Sequence, residues 1–65
     1  MKRLDLLRRV ADEGAVFIRH GADHDVYRNV ITGVIESIPR HREISERLAL
    51  KIIRRLSAPS PDAQP

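Results

Sequence analysis

Residues 15–28 read AVFIRHGADHDVYR and contain two β-favouring runs separated by a turn. The first run, residues 15–19, is apolar and partly β-branched, and the second run covers residues 25–28. Glycine, alanine and aspartate at positions 21–23 supply the chemistry of a turn. The stretch therefore predicts a β-hairpin, against which the rest of the domain can pack.

The elements predicted on either side of the hairpin complete a two-layer α+β domain. Residues 2–13 predict an amphipathic helix that ends at Gly14, with an apolar stripe of Leu4, Leu7, Val10 and Ala11 that Leu6 widens. Residues 34–38 predict a third strand, and a second helix follows the N-cap Ser45. The order α-β-β-β-α predicts two helices on one face of a three-stranded antiparallel sheet. This order resembles the double-stranded-RNA-binding fold.

Composition indicates one small basic domain. The 65 residues include no cysteine, which excludes disulfides, thiolate metal sites and a cysteine nucleophile. A formal net charge of +3 favours an anionic partner. We expect residues 1–56 to form the domain and the proline-rich residues 57–65 to form a flexible tail. Since no apolar run is long enough for a membrane span or a signal core, we expect a cytoplasmic protein with no membrane partner.

The three histidines lie among arginines, a mixture that suits proton transfer beside phosphate. Metal-free RNA cleavage needs a base, an acid and cations that stabilise the phosphorane. Strand alternation places His24 and Arg28 on one face, although spacing alone favours a structural role for His24 in the turn. His20, at the end of the first strand, is expected to be an ordinary surface histidine. His41 either contacts phosphate or lies in a solvated loop.

The remaining charged residues near the hairpin allow more than one role. Arg19 and Arg28 either contact RNA phosphates or solubilise the strand ends. Asp23 and Asp25 flank His24 and are expected to orient it or to cap the turn, rather than to act as an acid/base pair. The spacing of the first two histidines spans a turn and lacks a usual third ligand, so we expect no metal and no cofactor.

Residues 21–29, GADHDVYRN, and residues 38–44, IPRHREI, resemble the HicA toxin family of bacterial toxin-antitoxin systems. The resemblance covers residues 2–56 and includes the leading helix that ends in glycine and the arginine shortly before the turn. It implies an mRNA-cleaving toxin with a double-stranded-RNA-binding-like fold, neutralised by a HicB-like antitoxin that covers the active site. It also implies that the essential histidine of the family is His24.

These arguments lead to the hypothesis of a ribosome-independent endoribonuclease, monomeric when free and hetero-oligomeric with its antitoxin, in which His24 is the general acid or base. Gly21 and Asp25 would shape the turn, and RNA would be positioned by Arg19, Arg28, Arg40 and His41. The chain departs from the family pattern at Ala15, where an aromatic often follows the glycine, and at Asp23, where a small polar residue is common. These departures prompt a second hypothesis, a non-catalytic RNA-binding or partner-binding module.

Overall fold

The structure is a computed structural model that describes residues 1–57. The elements in chain order are α1 (Arg3–Asp12), β1 (Ala15–His20), β2 (His24–Asn29), β3 (Ile35–Pro39) and α2 (Glu46–Leu56). The strands form one antiparallel sheet in the order β1-β2-β3, and the helices pack on one of its faces. The predicted α+β architecture is confirmed. The tail predicted over residues 57–65 lies outside the described residues except for Ser57.

Local sequence signals explain where the elements begin and end. Gly14 follows α1 with a φ of 103°, a left-handed value that glycine adopts at small cost. The Ser45 hydroxyl accepts from the Leu48 amide at 3.3 Å, so the predicted N-cap of α2 is present. Gly33, with a φ of 79°, serves the turn between β2 and β3. At these three boundaries, the residue in the sequence suits the local backbone: glycine where φ is positive, and serine where a helix amide needs an acceptor.

The core lies between the helices and the sheet and consists of a few aliphatic side chains. Its buried members are Leu6, Val10, Ala15, Ile38, Ile44, Ala49, Ile52 and Leu56. In α1 the core-facing side is formed by Leu6 and Val10, which lie one turn apart. The predicted stripe was therefore wrong at Leu4, which is 67% exposed, and at Ala11, which is also exposed. Several apolar residues fit a helical period, and contact with the sheet selects among them.

Asn29, the last residue of β2, is a fully buried polar side chain. Its Nδ2 donates to the carbonyl oxygens of Glu13 at 2.8 Å and Leu56 at 2.5 Å. Its Oδ1 accepts from the amides of Ile31 at 2.8 Å and Thr32 at 3.1 Å. One amide group therefore ties the ends of both helices to the turn between β2 and β3. Alternation predicts that Asn29 faces the helices, but no sequence signal predicts these contacts.

We expect Asn29→Ala to lower the free energy of unfolding by about 3 kcal/mol, because the buried groups it bonds would lose their partners. Asn29→Asp should also destabilise the fold, since a carboxylate cannot donate to the two carbonyl oxygens. Ser37→Ala, at an exposed position of β3, should change the stability by less than about 0.5 kcal/mol. Urea unfolding followed by circular dichroism measures all three. Wild-type stability in Asn29→Asp would contradict the donor role.

Candidate functional site

The turn between β1 and β2 is closed so tightly that only glycine fits at position 21. The Gly21 amide donates to the carbonyl oxygen of His24 at 2.6 Å. A Cβ atom added at Gly21 would lie 2.9 Å from that same oxygen, closer than Cβ atoms normally approach. The φ of Gly21 is not in the left-handed region. The requirement for glycine therefore comes from the space beside His24 and not from backbone strain.

Arg40, in the loop between β3 and α2, holds this turn from outside. Its guanidinium donates to the carbonyl oxygens of Gly21, at 3.0 Å, and Ala22. It also donates to Oδ1 of Asp25 at 2.9 Å and, at 3.5 Å, to the carbonyl of His24. Sequence analysis predicted Arg40 as an RNA contact. In the structure its donors are directed at the turn, so its position fixes the backbone that carries His24.

Asp25 is a nearly buried carboxylate on the helix-facing side of β2, with a side chain 9% exposed. Its Oδ2 accepts from Nη2 of Arg3 at 2.6 Å, and its Oδ1 accepts from Arg40 and, at 2.7 Å, from Nδ1 of His20. The hydrogen bond from His20 is the main reason that the pKa of Asp25 lies below its ordinary value; burial opposes this effect and Arg40 reinforces it. Asp25 thereby joins α1, the hairpin and the loop before α2.

His20 is oriented by this contact. An ionised carboxylate can only accept a hydrogen bond, so Nδ1 of His20 carries a hydrogen and donates it to Oδ1 of Asp25 in that bond. In the neutral ring Nε2 is then an unprotonated acceptor, on a side chain that is 74% exposed. The ring also packs beside Phe17, with centroids 4.8 Å apart. The sequence did not predict this pair, because it depends on the register of the folded hairpin, which places His20 directly opposite Asp25.

An irregularity of β1 decides which side chain meets Asp25. The pairing register shifts between Phe17 and Arg19, as it does at a β-bulge. As a result Phe17 and His20 share the helix-facing side although three residues separate them. Arg19 pairs with Val26 and lies on the opposite, open face of the sheet. Strict alternation along β1 would have placed Arg19, and not His20, on the side of Asp25.

The open face of the sheet carries His24 together with two arginines. Along β2 the side chains of His24, Val26 and Arg28 share this face, as alternation predicts. Arg19 lies opposite Val26 and is thus the diagonal neighbour of both His24 and Arg28, at a typical separation of about 7–8 Å. His24 is exposed, and its backbone carbonyl, not its ring, takes part in the turn hydrogen bonds.

The other predicted site residues lie apart from this face. His41 is exposed in the loop between β3 and α2, next to Arg40. Asp23 is exposed in the turn, where its carbonyl oxygen accepts from the Arg40 amide at 3.3 Å. Within residues 1–57 there is no group of three or more histidine, aspartate or glutamate side chains that could hold a metal ion. None of the described helices is long and apolar enough to cross a membrane.

A surface cavity of about 640 Å³ lies between the start of α1 and the loop before α2. It is lined by Lys2, Arg3, Leu4, Arg40, Arg42 and Glu43. Lys2 and Glu43 form an isolated antiparallel β-bridge, and the Arg3 amide donates to the Arg42 carbonyl at 2.8 Å, so the backbone joins the two walls. Because Arg3 and Arg40 also bind Asp25, the cavity is connected to the hairpin turn.

Fold and site together define a small basic α+β domain with exposed histidines and ordered arginines at one end of its sheet. This end, called the rim, consists of the turn between β1 and β2 (residues 20–25) and the adjacent Arg40 and His41. Comparisons of the chain with protein-family models, curated proteins and solved structures gave no match. Any function of the chain has therefore to be inferred from the geometry of the rim and from the motif that forms it.

We expect Asp25→Asn to flatten the acid side of the stability curve. The pKa of Asp25 is lowered in the folded chain, whereas the pKa of an aspartate in an unfolded chain is about 3.9. The carboxylate thus contributes stability that is complete above about pH 4 and is lost as the pH falls through the lower, folded-state pKa. Thermal melts should show a wild-type Tm that falls more steeply in acid than that of Asp25→Asn.

At neutral pH Asp25→Asn should have the lower Tm, because Arg3 and Arg40 would lose their charged partner. Asp12→Asn, at an exposed position near the end of α1, is the matched control and should retain the wild-type pH dependence. Parallel acid profiles for Asp25→Asn and the wild type would contradict the role of this carboxylate.

Proposed function

We propose that the protein is the toxin of a toxin-antitoxin system, an endoribonuclease that cleaves mRNA in the cytoplasm without a metal and is neutralised by a HicB-like antitoxin. The observation that carries the proposal is the position of His24. It is exposed on the open face with Arg19 and Arg28, on a turn held by Gly21 and Arg40. The HicA-like motif of residues 21–29 therefore lies at a rim that RNA can reach.

The chemistry follows from the residue types on this face. In the proposed reaction the imidazole of His24 takes the proton of a 2′-hydroxyl, whose oxygen then attacks the adjacent phosphorus. The bond from phosphorus to the 5′-oxygen breaks, and the leaving oxygen receives a proton. Arg19 and Arg28 lie on the same face, where their fixed positive charge stabilises the negative charge that develops on the phosphate.

Arg40 and His41 take different parts in the proposal. Arg40 is a positioning residue, because its guanidinium holds the carbonyl oxygens of the turn and the carboxylate of Asp25. His41 is exposed beside it and remains a direct RNA contact. An Arg40 bound to the turn fixes the backbone that carries His24 relative to the two arginines of the open face, which favours proton transfer at a set position.

The second proton-transfer group has three candidates. Asp25 is not one of them, since its oxygens are occupied by Arg3, Arg40 and His20. The candidates are water, the exposed His41 and the exposed His20. Its Nδ1 is held by Asp25 and its Nε2 lies on an exposed ring, which is the arrangement of an oriented acid or base. His20 lies on the sheet face opposite His24, so it would have to transfer its proton to RNA that extends past the end of the hairpin turn.

His24→Ala should stop growth arrest on expression and reduce RNA cleavage by at least about 100-fold, because it removes the proposed proton-transfer group. His20→Ala should reduce cleavage less, since water can replace a group on the opposite face. Arg9→Ala, at an exposed position of α1, should cleave like the wild type. Purified variants are assayed on mRNA transcripts in the presence of EDTA.

A His24→Ala variant that still arrests growth and degrades RNA would refute the assignment. Wild-type protein that binds RNA and leaves it intact over hours would favour the alternative of a non-catalytic RNA-binding or partner-binding module. That alternative is motivated by Asp23, which is exposed beside His24. It is also motivated by Ala15, which occupies a buried position where related motifs often carry an aromatic.

Gly21→Ala should lower kcat/KM by about 10- to 100-fold, because the added Cβ would displace the carbonyl of His24 and with it the ring. The matched control is Gly33→Ala in the turn between β2 and β3. It should cost about 1 kcal/mol of stability because of its φ of 79° and should leave kcat/KM of the folded protein unchanged. Cleavage assays and thermal melts separate the two effects. Wild-type kcat/KM in Gly21→Ala would contradict the positioning of His24 by this turn.

A further inference from the structure

We infer that the cavity between the start of α1 and the loop before α2 binds a backbone phosphate of RNA. The inference rests on the proposed function, because it assigns a second RNA contact to the same protein. It adds a site away from the open sheet face, lined by residues 2–4, 40, 42 and 43. Of this set, only Arg40 is among the residues for which the sequence predicts RNA contact.

The charge around the cavity favours an anion. Four cationic side chains line it, and the carboxylates beside them are Glu43 on the wall and Asp25 beneath the two ordered arginines. Cations thus outnumber carboxylates four to two. A concave surface with an excess of one sign concentrates ligands of the opposite sign, and the fork of an arginine matches the oxygens of a phosphate.

The start of α1 forms one wall of the cavity. Its N-cap is Lys2, whose side chain makes no capping hydrogen bond. Because the Arg3 amide donates to the Arg42 carbonyl and Asp5 already lies in the first turn, the helix dipole adds little to the attraction that the cationic side chains exert on an anion. The bridge between Lys2 and Glu43 fixes this helix end against the opposite wall of the cavity.

The cavity combines cations that are held by hydrogen bonds with cations that are exposed. Arg3 is held by its Nε bond to the Pro39 carbonyl, at 2.8 Å, and by Asp25, so it loses little side-chain freedom when a ligand binds. Lys2 and Arg42 are exposed and can adjust to the ligand. Arg40 lines the cavity and also holds the turn of His24. A nucleic acid bound in the cavity is therefore next to the residue that positions the proposed catalytic histidine.

The test compares two double variants that remove the same charge. Lys2→Ala with Arg42→Ala removes the two exposed cations of the cavity. Lys51→Ala with Arg54→Ala removes one lysine and one arginine from the exposed side of α2. The probe is a short single-stranded 2′-O-methyl RNA, which cannot be cleaved through its 2′-oxygen. Its affinity is measured by fluorescence anisotropy over a range of salt concentrations, and thermal melts verify that both variants are folded.

The cavity variant should bind the probe about 10-fold more weakly than the wild type. Its plot of log affinity against log salt should be shallower by about 0.7, since one phosphate contact on a single strand contributes that much to the slope. The α2 variant should retain the wild-type slope. Lys2→Gln with Arg42→Gln, which keeps longer side chains, should reproduce the loss if charge is the cause.

Equal losses in the cavity and α2 variants would overturn the inference, as would a wild-type protein that does not bind the probe. An acidic peptide that binds more tightly than the probe and depends on Lys2 and Arg42 would assign the cavity to a protein partner and would also overturn the inference.

Cleavage is measured separately, on RNA with unmodified 2′-hydroxyl groups. Binding through Lys2 and Arg42 without cleavage would reject the proposed function alone, and cleavage without a cavity effect would reject the inference alone.

Discussion

The ionised carboxylate of Asp25 is the contact on which the arrangement of the rim depends. One side chain binds Arg3 of α1, Arg40 of the loop before α2 and His20 of β1. A carboxylate so little exposed has to be compensated by cations and hydrogen-bond donors, and therefore three separate parts of the chain meet at it. The turn that carries His24 and the ordered side of the cationic cavity are both built from these partners.

The middle strand, β2, also joins separate parts of the chain at its other end, where Asn29 hydrogen-bonds the ends of both helices and the turn before β3. Between these two polar residues lies a core of eight buried apolar side chains, two of which are alanines. A domain this small buries a low fraction of its surface, so hydrophobic burial alone leaves a thin margin of stability. Satisfied polar groups at both ends of one strand specify how the helices sit on the sheet, which a small aliphatic core specifies weakly.

Much of the fold is predictable because its signals are local. Caps, glycine turns and alternation in β2 predict the elements and the faces of His24 and Arg28. The pairing of His20 with Asp25 depends on the irregularity near position 18, where an isoleucine resembles any other strand residue. The contacts of Arg40 are equally hidden, since an arginine in a basic loop has the same sequence appearance whether it meets solvent, phosphate or carbonyl oxygens. The HicA-like assignment stays a prediction that the cleavage assays test.

The irregularity of β1 makes the chemistry of both sheet faces depend on how one strand pairs. Ile18 is the residue that the register shift leaves without a partner, so deleting it would keep Arg19 opposite Val26 and His20 opposite Asp25. Regular pairing of every residue of β1 would instead move Arg19 opposite Asp25 and His20 to the open face beside His24. One sequence would thus expose a different set of ionisable groups on each face if a single residue in its first strand changed its pairing.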